Sequence, residues 1–553
     1  MTRLAILCKV VLPVLMLFFV ATPISIATTY YVDGNHTSAS DSNPGTLELP
    51  WLTIQHAAET VVAGDTVYIR GGIYNEHVHI SNEGNATDGH IVFSSYPDEV
   101  AIIEGTGVTE SQNGIIVDKS YIKLFGLEIL NWNENGIWIE RAGYIEISHC
   151  EVYNVGNGIG MIEGVHDFVL NRVEMHHFDL YGFDASPYGT DCYNGTFNDC
   201  IAHTGRDHDQ NVDGFAIGHG TQHDFTFNRC ETYDVYDGFD IGENEGRRHI
   251  NIVLNRCSSH DCWNDGYKLT GHGKLVNCLG YNNYNANVAV YWDVNAGTAD
   301  LYNCTFFDSE VFNVWVENSS DSLLMYNCIL AGGDNICLGF EQRDVSRYKG
   351  DYNLFHNDDL DRAFVVGYED EFSLDQLESG VWTTYSGQDA HSLISQSDVD
   401  IFTDPSNFNL HLRETSNAID NGTSVGAPSD DFDGNPRPIG NGYDMGAYEY
   451  QGPVGVFGVG SEGRIPNTSV LFQNYPNPFN SSTTFRYILN EAAFVRLNIY
   501  DILGHEIDTI IHNHQDAGEH SLNWASTGLP SGVYFYRIET GGFVHTKKLI
   551  LQK

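Results

Sequence analysis

Seven short phrases decide the fold: Asn113-Gly114-Ile115-Ile116-Val117, Asn135-Gly136-Ile137-Trp138-Ile139, Asn157-Gly158-Ile159-Gly160-Met161, Tyr181-Gly182-Phe183-Asp184-Ala185, Asp213-Gly214-Phe215-Ala216-Ile217, Asp237-Gly238-Phe239-Asp240-Ile241 and Asp265-Gly266-Tyr267-Lys268-Leu269. Most open on Asn or Asp before Gly, a pair suited to a tight turn. An apolar or aromatic residue follows, then a variable one, then a second apolar one. Gly114, Gly136 and Gly158 stand 22 residues apart, and the interval from Gly182 to Gly214 stretches to 32 where a loop enters. Each interval has room for two or three short alternating strands between turn signals. One such coil cannot bury its apolar face alone, but a stack of coils can. No segment keeps a 3.6-residue period, which argues against a run of helices. The expected fold class is all-β: a right-handed parallel β-helix over residues 28–451, followed by a small C-terminal β-sandwich. Weaker copies of the phrase, without Gly, are expected at Asn287-Val288, Asn313-Val314 and Asn335-Ile336.

The ends and the cysteines fit a coil stack. Thr53 to Glu59 is the clearest helical stretch and precedes the first strands, where a helix would cover the open end of the core. From about Asp351 to Tyr450 the repeat fades into Asp431-Phe432-Asp433-Gly434 and Gly446-Ala447-Tyr448-Glu449-Tyr450, read as a turn-rich cap rather than a metal site. Cys150, Cys200, Cys230, Cys257, Cys278, Cys304 and Cys328 recur about once per coil, mostly with Asn just before them or one residue earlier. That regularity indicates an inward stack of small apolar side chains rather than disulfides. Cys192, Cys262 and Cys337 fall outside the stack, and a pair among them is left open.

The chain has 553 residues and a formal net charge of −47. So acidic a surface argues against nucleic acid, whose affinity comes mainly from phosphate neutralisation. Residues 1–27 begin with Arg3 and Lys9, continue with an apolar run from Val10 to Val20, and end in Ser25-Ile26-Ala27, the pattern of a secretory signal peptide. The run is too short for a membrane span and no other segment could make one. A soluble, secreted monomer is expected.

Residues 452–468, rich in Gly, Val and Ser, read as a linker, and residues 469–553 as a small β-sandwich. Asn474-Tyr475-Pro476-Asn477-Pro478-Phe479-Asn480, Val495-Arg496-Leu497-Asn498-Ile499-Tyr500-Asp501, Leu529-Pro530-Ser531-Gly532-Val533-Tyr534 and Lys547-Lys548-Leu549 closely resemble the C-terminal sorting domain of type IX secretion substrates. The resemblance implies a partnership with the type IX machinery, then release or attachment at the cell surface.

Three consecutive phrases carry charge. Asp213, Asp237 and Asp265 hold the first position; Ala216, Asp240 and Lys268 hold the fourth, with Asp184 earlier in the same column. Equivalent positions in stacked coils lie about 4.8 Å apart. Asp265 by itself reads as a turn residue. Asp213, Asp237 and Asp240 together place oxygen ligands at one spot, as a hard cation such as calcium requires. Lys268 is one of only two lysines between Lys123 and Lys349, the other being Lys274. From the residues alone, a salt-bridge partner and a catalytic group are equal readings of it.

Asn211-Val212-Asp213-Gly214-Phe215, Asp237-Gly238-Phe239-Asp240 and Gly266-Tyr267-Lys268-Leu269 are similar in order and spacing to polysaccharide lyase family 9, a likeness spanning most of the β-helix. Tyr30-Tyr31-Val32-Asp33 and Asp41-Ser42-Asn43-Pro44-Gly45-Thr46 also look like that family's start. The resemblance implies a calcium-dependent lyase that cleaves an anionic polysaccharide, a polyuronate such as pectate, by β-elimination. Asp213, Asp237 and Asp240 would hold calcium and Lys268 would be the base, its pKa lowered by the metal and by partial burial. The family tends to show two adjacent acids before the Gly-aromatic pair, and Tyr236 stands where the first would be; Asp234 and Glu243 are candidates to replace it. Two other readings remain open: a glycoside hydrolase using Asp184 and Asp240, and a non-catalytic surface protein that binds carbohydrate. Trp138, Trp292 and Trp315 are candidate sugar platforms under any of the three.

Overall fold

In the computed structural model the described residues are 27–551, apart from 110, 186–190, 207–210, 219–221, 243–249, 292–297, 319–320, 334, 359–361, 368, 453–469, 472–473, 475–478, 490–491, 502–504, 527 and 541–543. Residues 1–26 of the segment read as a leader, the linker from residue 453 onward, Glu243 and Trp292 lie outside them.

Each coil contributes one strand to each of three parallel sheets. The first sheet has 13 strands, from Thr29–Val32 to Tyr348–Asp351. The second and third are continuous strands in the early coils, as in Leu127–Glu140 and Glu151–Ile162. They separate later, as in Ser258–His260 and Asp265–Leu269. Every ladder between neighbouring coils from Ile115 to Phe355 is parallel and mostly in register.

The turn from the first sheet into the second explains the cysteine phrase. Arg229, Arg256, Asn277, Asn303 and Asn327 all have φ between 52° and 56°, in the left-handed region. The cysteine that follows each of them points into the core and is buried. Where Asn itself takes the left-handed position the phrase reads Asn-Cys; where Arg takes it, Asn moves one residue earlier. The displaced asparagines then pair along the stack: Asn198 Nδ2 donates to Asn171 Oδ1 at 2.8 Å and Asn228 Nδ2 to Asn198 Oδ1 at 3.0 Å. All ten cysteines from Cys150 to Cys337 are unpaired and buried, so Cys192, Cys262 and Cys337 form no disulfide.

The aromatic residue of the phrase fills the core behind the third sheet. Phe215 stacks on Phe239 at 5.1 Å between ring centroids, and Phe239 on Tyr267 at 5.3 Å. The Tyr267 hydroxyl lies between the carbonyls of Leu279 and Cys257, at 2.8 and 2.9 Å. Each fully buried ring of this kind contributes roughly 1.5–3 kcal/mol.

The helix expected near the N-terminus spans Ile54–Thr60, capped by Thr53, whose hydroxyl accepts from His56 N–H at 3.2 Å. It buries Ile54, Ala57 and Ala58 against the first coils. At the other end Arg437 and Glu449 form a buried ion pair at 2.9 Å. Asp431 Oδ1 accepts from Asn435 N–H at 2.7 Å and Asp444 Oδ2 from Tyr450 N–H at 2.6 Å. These acids are spent on backbone donors, which is how a cap is built. The C-terminal module has two antiparallel sheets, Val470–Leu471, Ser482–Leu489 and Gly518–Ala525 in one, and Glu506–Gln515, Ala493–Tyr500, Gly532–Glu539 and Val544–Leu551 in the other.

Candidate active site: an acid–lysine centre on the third sheet

Register turns the sequence phrases into columns. Asn135, Asn157, Tyr181 and Asp213 are successive partners at the first position. Trp138, Gly160, Asp184, Ala216, Asp240, Lys268, Ala289, Trp315 and Gly339 are successive partners at the fourth, on the outward face. The weak copies are corrected by this register. Ala286, not Asn287, pairs with Asp265, so Asn287 takes the glycine slot. It is buried there and donates to Asn313 Oδ1 at 2.8 Å. Asn335 is displaced the other way, one step before the first position, because Ile336 pairs with Phe312 and Phe312 with Ala286.

The first-position acids are held as turn residues. Asp213 Oδ1 accepts from Asp237 N–H at 3.3 Å, Asp237 Oδ1 from Asp265 N–H at 3.0 Å, and Asp265 Oδ1 from Ala286 N–H at 3.1 Å. An asparagine one residue earlier adds a second donor in two coils: Asn264 Nδ2 to Asp237 Oδ1 and Asn285 Nδ2 to Asp265 Oδ1, both at 2.8 Å. Tyr236 occupies that same preceding column, since its N–H donates to Val212 O and its carbonyl accepts from Asn264 N–H. Its phenol is raised in pKa by burial and then by Asp237.

One oxygen of each carboxylate is thus committed to the backbone; of the others, Asp213 Oδ2 accepts from Asn211 Nδ2 at 2.8 Å and Asp265 Oδ2 from Asn264 Nδ2 at 3.3 Å. Asp213, Asp237 and Asp240 bring one ligand oxygen apiece within 4.8 Å of one another. Among the described residues no other group of three or more His, Cys, Asp or Glu side chains converges this way. Asp213 and Asp237 are 1% and 0% exposed. Lys268 Nζ donates to Asp237 Oδ2 and Asp240 Oδ2, each at 2.9 Å. Asp240 Oδ1 is buried and has no hydrogen-bond partner. Two buried carboxylates and a partly exposed third, the last with an unused oxygen, face a single ammonium and fit a hard cation with oxygen ligands.

The charges shift accordingly. Burial first, then Asp240 and Asp237, hold the Asp213 carboxyl well above the usual carboxylate range. Asp240 is raised mainly by burial, against the pull of Lys268. Burial disfavours the charge on Lys268, but Asp240, Asp237 and Asp213 outweigh it and hold the ammonium above a free lysine's range. The side chains of the centre thus raise the lysine's pKa by themselves, and the lowering expected of it rests on the metal. Lys268 is the ion-pair partner of Asp237 and Asp240.

Other expected residues fall elsewhere. Asp234 accepts from Trp263 Nε1 at 3.2 Å and is absent from the converging set, so it does not replace an acid at Tyr236. Trp315 is 7% exposed, packed with Phe312 over Gly339, and offers little platform. Trp138 is half-buried and leans over Gly160. Asp184 is buried two coils from Asp240. The residue not singled out from sequence is Tyr181, next to Asp213 in its column, with a phenol pushed up to about 12 by burial and then by Asp213, Asp184 and Asp240. Its signal was visible: it is the one first-position residue among the seven phrases that is neither Asn nor Asp.

Comparison with known proteins bears on the same region. Residues 30–310 match the model of the Pel9A-like, right-handed beta helix region, and residues 473–552 that of the secretion system C-terminal sorting domain. An uncharacterized protein YwoF of Bacillus subtilis is 39% identical over 104 residues, 18% of this chain and 21% of that protein. Pectate lyase PEL9 of Emericella nidulans is 29% identical over 124 residues, 20% of this chain and 29% of that protein. The chain thus spans under a third of the length of either curated relative. Among solved structures, pectate lyase Pel9A superposes with a TM-score of 0.45 at 16% identity, covering 77% of this chain and 97% of that one. The A-module of the Azotobacter vinelandii mannuronan C-5 epimerase AlgE4 gives 0.40 at 15% identity, covering 66% and 100%. Among the described residues no helix is long and apolar enough to cross a membrane. The sorting domain marks the protein as secreted or displayed at the cell surface, and the chain belongs to the Pel9A-like right-handed β-helix family.

Proposed function

We propose that this protein is a calcium-dependent polysaccharide lyase that cleaves a polyuronate, pectate first among candidates, by β-elimination with Lys268 as the base. The observation that carries this reading is the placement of Lys268 Nζ 2.9 Å from two of three converging carboxylates on an outward sheet face. Calcium held by Asp213, Asp237 and Asp240 would neutralise the uronate carboxylate as a Lewis acid does and replace the ammonium as their counter-ion. The chain's own residues supply the rest. Lys268, as neutral amine, takes the C5 proton of the uronate. The electron pair left behind forms the C4=C5 double bond, the C4–O4 bond breaks, and the leaving oxygen takes a proton from solvent. Backbone donors fix Asp213 and Asp237, and Lys268 holds Asp240, before substrate arrives, so little rearrangement is needed. A base of this type works best at alkaline pH.

A hydrolase reading has one point in its favour. Asp184 and Asp240 are two coils apart, about 9.6 Å by strand spacing and near the separation of an inverting acid–base pair. Against it, Asp240 is engaged by Lys268. The test is incubation with pectate, alginate and glycosaminoglycans, with calcium or with chelator, following ultraviolet absorbance of the unsaturated uronate. Calcium-dependent absorbance on one of these supports the lyase. New reducing ends without absorbance sink it in favour of hydrolysis, and neither signal leaves a binding protein.

A further inference from the structure

Beside the centre, where the chain turns into the third sheet, three successive coils enclose a hollow of about 660 Å³. It is lined by Asp261 and Trp263 on the Lys268 coil, Tyr284 on the next, and Asp308 and Glu310 on the one after. Trp263 precedes Asp265 by two residues and Lys268 by five. Asn264, between Trp263 and Asp265, donates to Asp237 Oδ1 at 2.8 Å, so hollow and centre share one stretch of backbone.

The lining is specific in its chemistry. Tyr284 is 59% exposed, an aromatic face left in solvent. The indole of Trp263 is fixed by its bond to Asp234 Oδ1. Around these rings stand the carboxylates of Asp308 and Glu310, with Asp261 paired to His260 at 2.6 Å, and no lysine or arginine lines the hollow. Those carboxylates do not converge as metal ligands. Aromatic faces pack on the C–H faces of a pyranose, and carboxylates accept from its hydroxyls. The same carboxylates repel a uronate. The centre and the hollow therefore select opposite ligands.

We infer that this hollow is a binding site for an uncharged sugar, either a branch or a neutral backbone residue of the polymer whose uronate is cleaved at Lys268. Resting on the lyase reading for the polymer, it makes the preferred substrate a polyuronate carrying neutral sugars rather than a plain homopolymer.

Two readouts on the full chain keep the two ideas separable. In chelator, the protein is titrated with neutral galacto-oligosaccharides and with oligogalacturonate, and binding is followed by saturation-transfer NMR. The neutral ligand should bind saturably and oligogalacturonate should not compete for the same site. Tyr284→Ala, at an exposed position, should weaken that binding about 2- to 10-fold. With calcium, the same variant should raise KM by a similar factor on pectin bearing neutral side chains, leaving kcat and turnover of debranched polygalacturonate unchanged. No neutral-sugar binding, equal competition by oligogalacturonate, or binding unmoved in Tyr284→Ala would overturn the inference. Neutral-sugar binding with no lyase activity on any polymer would leave the hollow standing and remove the proposed function.

Discussion

Two halves of one column make the same turn with different chemistry. In the early coils Asn113, Asn135 and Asn157 stand at the first position; in the later ones Asp213, Asp237 and Asp265 do. Asn113 Oδ1 accepts from Asn135 N–H at 3.0 Å, just as Asp237 Oδ1 accepts from Asp265 N–H at 3.0 Å. The asparagines, however, also supply their own donors: Asn135 Nδ2 donates to Asn113 Oδ1 at 2.7 Å and Asn157 Nδ2 to Asn135 Oδ1 at 3.0 Å. That ladder is neutral and supplies its own donors up to Asn157, whose Oδ1 is buried without a partner. An aspartate has no donor, so in the later coils Asn264 and Asn285 lend theirs, and the second oxygen of Asp237 is left to accept from Lys268. The scaffold needs only the first oxygen. The proposed function rests on the second.

Breaking the charged half should give the largest effect. Asp237→Asn keeps an oxygen for the Asp265 N–H but removes one ligand charge, so calcium affinity by titration calorimetry should fall by at least about 10-fold. Unchanged affinity would place the cation elsewhere. Charging the neutral half comes next. Asn135→Asp would set a buried carboxylate against Asn113 Oδ1 with no lysine in reach, costing about 3 kcal/mol in denaturant unfolding. Calcium should not restore it, because the fourth-position residue of that coil is Trp138. Recovery with calcium would show that the first-position acids alone make the site.

The smallest effect belongs to neither half. Burial pushes Glu449 up to about 8 and Asp431 and Asp444 up to about 6 in the end cap. Their folded pKa values lie above those of the unfolded chain, roughly 4. The stability they contribute is full below that value and is lost as pH rises toward about 8. The melting temperature in scanning calorimetry should fall over that window, and the same slope should persist in Asp237→Asn. A rising melting temperature would mean these acids are ionised and better paired than their burial implies.

Much of this was legible because a parallel coil stack converts sequence spacing directly into contact. The phrases from Asn113 to Lys268 keep phase, so Asp213, Asp237, Asp240 and Lys268 could be placed together from their spacing alone. Phase says nothing about turn length, and there the reading slipped. Asn287 moved into the glycine slot, and Trp315 turned out to be packed rather than presented. Lys268 shows a different limit. Its position followed from the repeat, but its charge state depends on the balance between burial and three carboxylates, which no spacing reveals.

That balance makes one experiment decisive, since Lys268 pairs with Asp237 and Asp240 whether or not it is also a base. Turnover of polygalacturonate by Lys268→Ala in saturating calcium, followed by unsaturated-uronate absorbance, separates the two roles. Loss of activity by at least about 10³-fold, with calcium still bound, is the predicted result. Activity near that of the unaltered protein once calcium supplies the positive charge would contradict it, and would reduce Lys268 to a salt-bridge partner.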